Sequence, residues 1–391
     1  MQWGSRLDVC SLHCAGGMMK RMKKRCSALL ACLLALVLMG CSGEGNNPLT
    51  TTPTGTVTDS TESSATTTAT TEPETPKDPW HYGMFGGVKI REVVIDSGRG
   101  GEPVMVIQLT DLHLAAMTSA DLENPTLAST AQYRKWGADG KFAANATLTL
   151  NYADSQNPDQ IVITGDATDY LSEGSMALLK ETVWDRYRNE DGSVSRVLIS
   201  LGNHERVQKM EGKVDETLSA EAREKAVADA WEHDILYTSR VLKEAVMVIQ
   251  MDNGLGYFRE EQVPLLRADL ALAREKGYTV LLFFHEAIST GNAADMDVSA
   301  SYVGVGSASS ANFYTGATVA NPYSQGTNGD IYQMIVNSAD VIGGIFCGHL
   351  HADFYTEIQA KTPDGQAKII PQYVLTGTPY DGGHALKITV R

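Results

Sequence analysis

The chain has 391 residues, enough for one large domain or two ordinary ones, and carries 32 Lys+Arg against 47 Asp+Glu for a net charge of −15. A field of that sign disfavours a nucleic-acid scaffold, because non-specific binding rests on cationic contacts to phosphates; it is otherwise ordinary for a soluble extracytoplasmic protein. Of the six cysteines four precede residue 41, so if that segment is removed no disulfide framework can form within a monomer.

The first 80 or so residues do not read as a folded domain. Met18-Met19-Lys20-Arg21-Met22-Lys23-Lys24-Arg25 is basic, an apolar run follows from Ala28 to Met39, and Leu38-Met39-Gly40-Cys41 closes it. Basic start, short hydrophobic stretch and small residue describe a secretory signal; a dozen apolar residues fall short of the ~20 that span a bilayer. The closing residues resemble the lipobox of bacterial lipoproteins, which implies cleavage after Gly40 and diacylglycerol on Cys41. Met39 is a less usual residue there, and the alternative is an uncleaved N-terminal anchor. Both readings put the remainder outside the cytoplasm, held at the bacterial cell membrane. Residues 1–17 add nothing to the signal, and Met18, Met19 or Met22 is the expected start. From 42 to 79 the chain is Thr, Ser, Pro, Gly and Glu with almost no apolar residue; such a segment is expected to stay disordered and to act as a tether. Residues 80–391 then form one domain. Residues 1–41 hold six of the bases and one of the acids, so the remainder sits near about −20.

In that domain β-branched runs alternate with helical periodicity, which predicts an α/β fold. Strands are expected at Val104–Leu109, Gln160–Thr164, Arg196–Ser200, Ala245–Met251, Thr279–Phe284, Val341–Cys347 and Ala385–Val390. Helices are expected at Ser175–Arg188, Ser219–Trp231, Glu261–Lys276 and Asp330–Asn337. In the third of these Val263, Leu266, Leu270 and Ala273 share a face, and Gly277 stops it. The stretch Gly291–Gly329 is rich in Ser, Gly, Ala and Asn, without an element; a binding loop and a plain surface insertion both fit it.

Five of the strands run directly into polar clusters. These are Thr110-Asp111-Leu112-His113, Gly165-Asp166-Ala167-Thr168-Asp169, Gly202-Asn203-His204-Glu205, His285-Glu286 and Gly348-His349-Leu350-His351. Ligands of open α/β sheets gather at the carboxyl ends of strands, and five of the eight histidines beyond residue 41 lie in these clusters. Carboxylate, carboxamide and imidazole without a usable thiolate suit a divalent ion such as Mn, Fe, Zn or Co. In extended chain, Asp111 with His113 and His349 with His351 would each share a face. Seven candidate ligands are too many for one tetrahedral ion and about right for two that share a carboxylate.

Asp-x-His, Gly-Asp-x-x-Asp, Gly-Asn-His-Glu, a lone His after a strand, and Gly-His-x-His stand in the order of the calcineurin-like metallophosphoesterases, and the chain resembles that family from Val104 to His351. The resemblance implies a four-layer fold, two packed mixed β-sheets flanked by helices, with two divalent metal ions at the strand ends. It implies that Asp111, His113 and His351 bind one metal, that Asn203, His285 and His349 complete the other, and that Asp166 bridges both. It implies hydrolysis of a phosphate ester by attack of a metal-activated hydroxide on phosphorus. His204 would then donate a proton to the leaving group, and Asp169 would orient His204. The expected partners are a small phosphorylated substrate and, through the lipid on Cys41, the membrane; no nucleic acid and no protein partner is expected. The alternative from another class is a non-catalytic, metal-containing surface lipoprotein with a binding or adhesive role.

There are departures. Tyr170 stands where phosphoprotein phosphatases have Arg, so a phosphoprotein substrate is not expected. It is also one residue off the Tyr ligand of purple acid phosphatases, and Glu286 replaces a small residue or Pro. His81, His233 and His384 have no partner motif and read as surface or structural; Cys347 reads as a buried small hydrophobe, and Glu205 as loop support. Trp80, Trp136, Trp184 and Trp231 read as core or rim.

Overall fold

The computed structural model describes residues 80–98, 100–133, 140–206, 219–254, 256–288, 327–379 and 382–391. The expected signal, the tether, Trp136 and residues 291–326 of the Ser/Gly-rich stretch therefore lie outside the described residues. The strands are β1 (His81–Phe85), β2 (Val88–Ile95), β3 (Val104–Leu109), β4 (Gln160–Thr164), β5 (Val197–Ser200) and β6 (Tyr237–Leu242). They continue with β7 (Val246–Met251), β8 (Thr279–Phe283), β9 (Ile342–Cys347), β10 (Phe354–Lys361), β11 (Ala367–Val374) and β12 (His384–Val390). The helices are α1 (Ser119–Glu123), α2 (Pro125–Tyr133), α3 (Lys141–Gln156), α4 (Glu173–Leu179), α5 (Ala220–Ala230), α6 (Gln262–Lys276) and α7 (Thr327–Val336).

The strands build two mixed six-stranded sheets, in orders β1-β2-β12-β3-β4-β5 and β10-β11-β9-β8-β7-β6. β3, β4 and β5 are mutually parallel, as are β7, β8 and β9. Their sequences are nearly continuous apolar runs, which is what a strand covered on both faces requires. Alternation divides each run between two cores. From the first sheet Val104, Val106, Val162 and Leu198 pack with Val246, Val248, Leu281, Phe283 and Phe346 of the second in one inter-sheet core. The odd neighbours Ile107, Leu109, Ile161, Ile163 and Ile199 face outward under α3 and α4. Met247, Ile249, Leu282 and Ile345 do the same under α6 and α7. This is the expected α/β architecture.

The helix expected over 175–188 differs in one respect. It is α-helical only to Leu179, and Lys180–Trp184 forms a π-helical turn. The wider turn carries Val183 and Trp184 together into the core, where Trp184 meets Trp231 and His233 edge-on. α6 follows expectation: Leu266, Leu270 and Ala273 are buried, and Gly277 closes the helix at φ 69°. Among the described residues no helix is long and apolar enough to cross a membrane.

Candidate metal centre

Because β3–β5 and β8–β9 run parallel within their sheets, each sheet delivers its polar clusters at one edge. The two edges meet. Gln108, between the sheets, donates to Thr164 Oγ1 (2.9 Å) on one side and to the Cys347 carbonyl (2.8 Å) on the other. The His285 ring nitrogen Nδ1 lies 2.8 Å from the Thr164 carbonyl, and Gly348 N donates to the His285 carbonyl.

All seven predicted ligands converge there. Asp111, His113, Asp166 and His351 offer ligand atoms within 4.8 Å of one another, and so do Asp166, His285 and His349. Asp166 is common to both groups. Asn203 completes the second, its Oδ1 3.1 Å from His285 Nε2. His285 Nε2 also lies 3.1 Å from His349 Nδ1, and His113 Nε2 lies 3.2 Å from His351 Nε2.

These atoms fit cations for a reason visible in their other bonds. His285 spends Nδ1–H on a carbonyl, and His113 Nδ1 lies 2.8 Å from Asp169 Oδ1, so both rings turn an Nε2 lone pair inward. Asp111 ties Oδ2 to the Thr110 hydroxyl (2.5 Å) and to His349 N (3.1 Å), leaving Oδ1 facing His351. Asp166 ties Oδ1 to His204 N (2.9 Å) and turns Oδ2 toward His285 (3.3 Å). What remains is a buried cluster of acceptors pointing at one another, which protons or cations must reconcile. With protons alone, burial lowers His285, but the charge of Asp166 and the bond to it, together with Asp111 and the Thr164 carbonyl, raise its pKa to about 10. Desolvation, then the His285 charge, pushes His349 down to about 3. Burial raises Asp111, yet its bond to His351 and the nearby charges hold it at about 2. Asp166 is held well below its ordinary range against burial, chiefly by His204 and His285.

The geometry that produces this convergence corrects the sequence expectation. Asp111–His113 and His349–His351 are not extended. All four have left-handed backbone, at φ 49°, 47°, 68° and 51°, and Asp166 joins them at 48°. Among the described residues only three other non-glycine residues do so. Such conformations cost of order 1–3 kcal/mol each and persist only where the surroundings over-determine them. Here Asp111 N donates to Gly165 O and His113 N to Asp166 O, while the intervening Leu112 and Leu350 are fully buried. The preceding glycines have no alternative: a Cβ on Gly348 would collide with Thr110 and Asp111, and one on Gly202 with Asp166.

His204 and Asp169 lie beside the first group, in a different relation from the one expected. The Asp169 carboxylate is closer to His113 Nδ1 (2.8 Å) than to His204 Nδ1 (3.4 Å). His204 Nδ1 sits instead 2.9 Å from the Asp169 carbonyl, with its Nε2 3.7 Å from Asp166. Asp169 thus touches both rings. Glu205 braces the loop, as expected: it accepts from Gly202 N (2.7 Å) and Thr168 N (2.8 Å), and burial with nearby Asp166 raises it to about 7. Glu286 is buried and raised to about 7 by desolvation. His81 is exposed; His233 accepts from Ile199 N, and His384 is buried in β12. Cys347 is buried, its thiol pushed well up by burial. Trp80, Trp184 and Trp231 are core residues.

Gln108, Arg206, Asp252 and Asn253 were not among the residues expected at the site. Asp252-Asn253 follows β7 as the other clusters follow their strands; that position was the available signal.

The sequence matches the family model described as calcineurin-like phosphoesterase over residues 104–353. No curated protein sequence matches the chain. Solved structures similar to it include a dimetal phosphatase from Danio rerio, at 12% identity over 70% of this chain and 88% of that one, with a TM-score of 0.33. A calcineurin-like phosphoesterase from Bacillus subtilis aligns at 11% identity over 71% and 82%, with a TM-score of 0.32. GAP50, the anchor in the inner membrane complex of Plasmodium, aligns at 12% over 71% and 72%, with a TM-score of 0.34. Scores this low add nothing to the family match.

Proposed function

The chain belongs to the calcineurin-like phosphoesterase family, and from that premise we propose that it hydrolyses small phosphate esters, monoester or diester, outside the cytoplasmic membrane. The family is dimetal-dependent, and the chain is a metal-dependent phosphoesterase. One observation carries the reading furthest: Asp166 belongs to two separate donor groups at once. Asp111, His113 and His351 would hold one ion; Asn203, His285 and His349 would complete the other; Asp166 would serve both. Oxygen and imidazole donors without thiolate favour Mn, Fe, Zn or Co. When bound, such a pair supplies an acidified water and positive charge for the phosphoryl oxygens.

The chain's own groups would do the rest. His204 Nδ1 is engaged by the Asp169 carbonyl, so Nε2 is the atom able to give a proton to a leaving oxygen. The Asp169 carboxylate, 3.4 Å from the same ring, favours its charged form. The buried loops that carry the ligands keep their separation fixed while the ester reacts.

The test is metal content together with hydrolysis of nitrophenyl phosphate and bis(nitrophenyl) phosphate by the full chain, supplied with each metal in turn. Turnover of one ester, lost on chelation and restored by metal, is expected, and the ratio of the two rates decides monoester against diester. A protein that binds two ions and turns over neither ester overturns the proposal in favour of a non-catalytic surface lipoprotein. We propose further that residues 1–41 are an export signal with the lipid on Cys41, and that 42–79 tether the 80–391 domain. Cys41→Ser is then expected to move the protein out of the membrane fraction.

A further inference from the structure

β7 is the sixth strand to end in a polar cluster, but the Asp252 and Asn253 side chains are spent on the loops that carry ligands. Asn253 Oδ1 accepts from His285 N and Glu286 N, both at 3.0 Å, and its Nδ2 donates to the Glu286 carbonyl at 2.8 Å. One fully buried amide thereby fixes the backbone on either side of His285. Its neighbour Asp252 makes a two-pronged, buried pair with Arg206, at 3.0 Å and 2.5 Å, and Arg206 ends the short 3₁₀ turn that begins at His204, directly after Asn203. Gly254 completes the contact, since a Cβ there would strike the backbone of Gly202. The turn is itself bolted down: Gln262 of α6 donates to the Asp252 carbonyl at 3.0 Å, and Asp252 N donates to the Leu236 carbonyl at 2.9 Å.

We infer that the turn after β7 is a positioning clamp for the second ion alone, with Asn253 aligning His285 and the Arg206–Asp252 pair aligning Asn203. The inference rests on the dimetal reading. Asp252, Asn253 and Arg206 touch none of the reacting atoms; they act through the backbone that carries two ligands. Among the described residues their side-chain bonds run to the loops of His285 and Asn203, two ligands of the second ion.

The experiment is a manganese(II) titration of the chelator-stripped full chain, read as two separate affinities. Asn253→Ala is expected to weaken the second ion by roughly tenfold to 100-fold, the range for residues that orient ligands, and to leave the first unchanged. In a His113→Ala background, which disables the first group, the same loss must reappear in the remaining site. If Asn253→Ala does not fold, the paired replacement Arg206→Met with Asp252→Leu, which leaves no lone buried charge, carries the same expectation. Equal weakening of both ions, or no weakening of either, overturns the clamp. A wild-type chain that takes up fewer than two ions overturns the dimetal reading instead.

Discussion

The two halves of the candidate metal centre are held in part by different means. In the first, Asp111, His113 and His351 all have left-handed backbone, so the strained loops of their own motifs aim the side chains. In the second, His349 shares that backbone at φ 68°, but His285 and Asn203 do not; the loops that carry these two are bonded by Asn253 and by Arg206 with Asp252, which lie outside every motif. Asp166 stands between, strained like the first set and bonded to the second. The lesson is that a ligand motif can contain its own geometry or borrow it. Only the first kind is complete in the sequence that names it.

This contrast can be broken in several ways. Asp166→Ala removes the carboxylate both groups share, and is expected to abolish two-ion binding and lower kcat/KM by at least about 10⁴-fold, about 5.5 kcal/mol; a variant that keeps both ions in a titration means the groups do not depend on it. His204→Asn is expected to keep both ions while kcat falls by roughly 10²–10⁴-fold, measured at saturating ester, and unchanged turnover would remove its acid role. Asp169→Asn is the mirror of the clamp variants. Because the Asp169 carboxylate lies nearest His113, the first ion should weaken by roughly 10–100-fold while the second holds. Loss confined to the second ion would reverse the assignment.

The smallest expected effect is in pH. His285 is raised from 6.5 to about 10 in the ion-free protein, so its contribution to stability is complete below 6.5 and is lost as pH rises through 10. An ion entering the second group must displace that proton, and its affinity should climb steadily from pH 7 to 10. Asp111, lowered to about 2, contributes stability above about 3.8 that is lost as pH falls through 2, and burial lowers His113. The first ion should therefore show a flat affinity over the same alkaline range. Parallel pH profiles for the two ions would contradict the contrast.

The sequence carried the chemistry further than it carried the fold. The seven candidate ligands were legible because Asp, Asn and His at five strand ends have few other reasons to be there. β3, β4, β7, β8 and β9 were legible because strands covered on both faces are apolar throughout. α3 was not: its Thr and Asn residues are weak helix formers, and only the buried Phe142, Ala146, Thr149, Leu150 and Ala153 betray a face. β10 and β11 were also missed, since their edge hairpin mixes charges and Pro371 into a strand pattern. The orientation of Asp169 was beyond reach for another reason. Which of two histidines a carboxylate meets depends on left-handed turns that residue types alone do not declare.

The most direct test is anomalous scattering from crystals of the manganese-loaded protein. Two peaks are predicted, both beside Asp166, one against Asp111, His113 and His351 and the other against Asn203, His285 and His349. A single peak, or peaks away from Asp166, would contradict the shared-carboxylate centre on which the account stands.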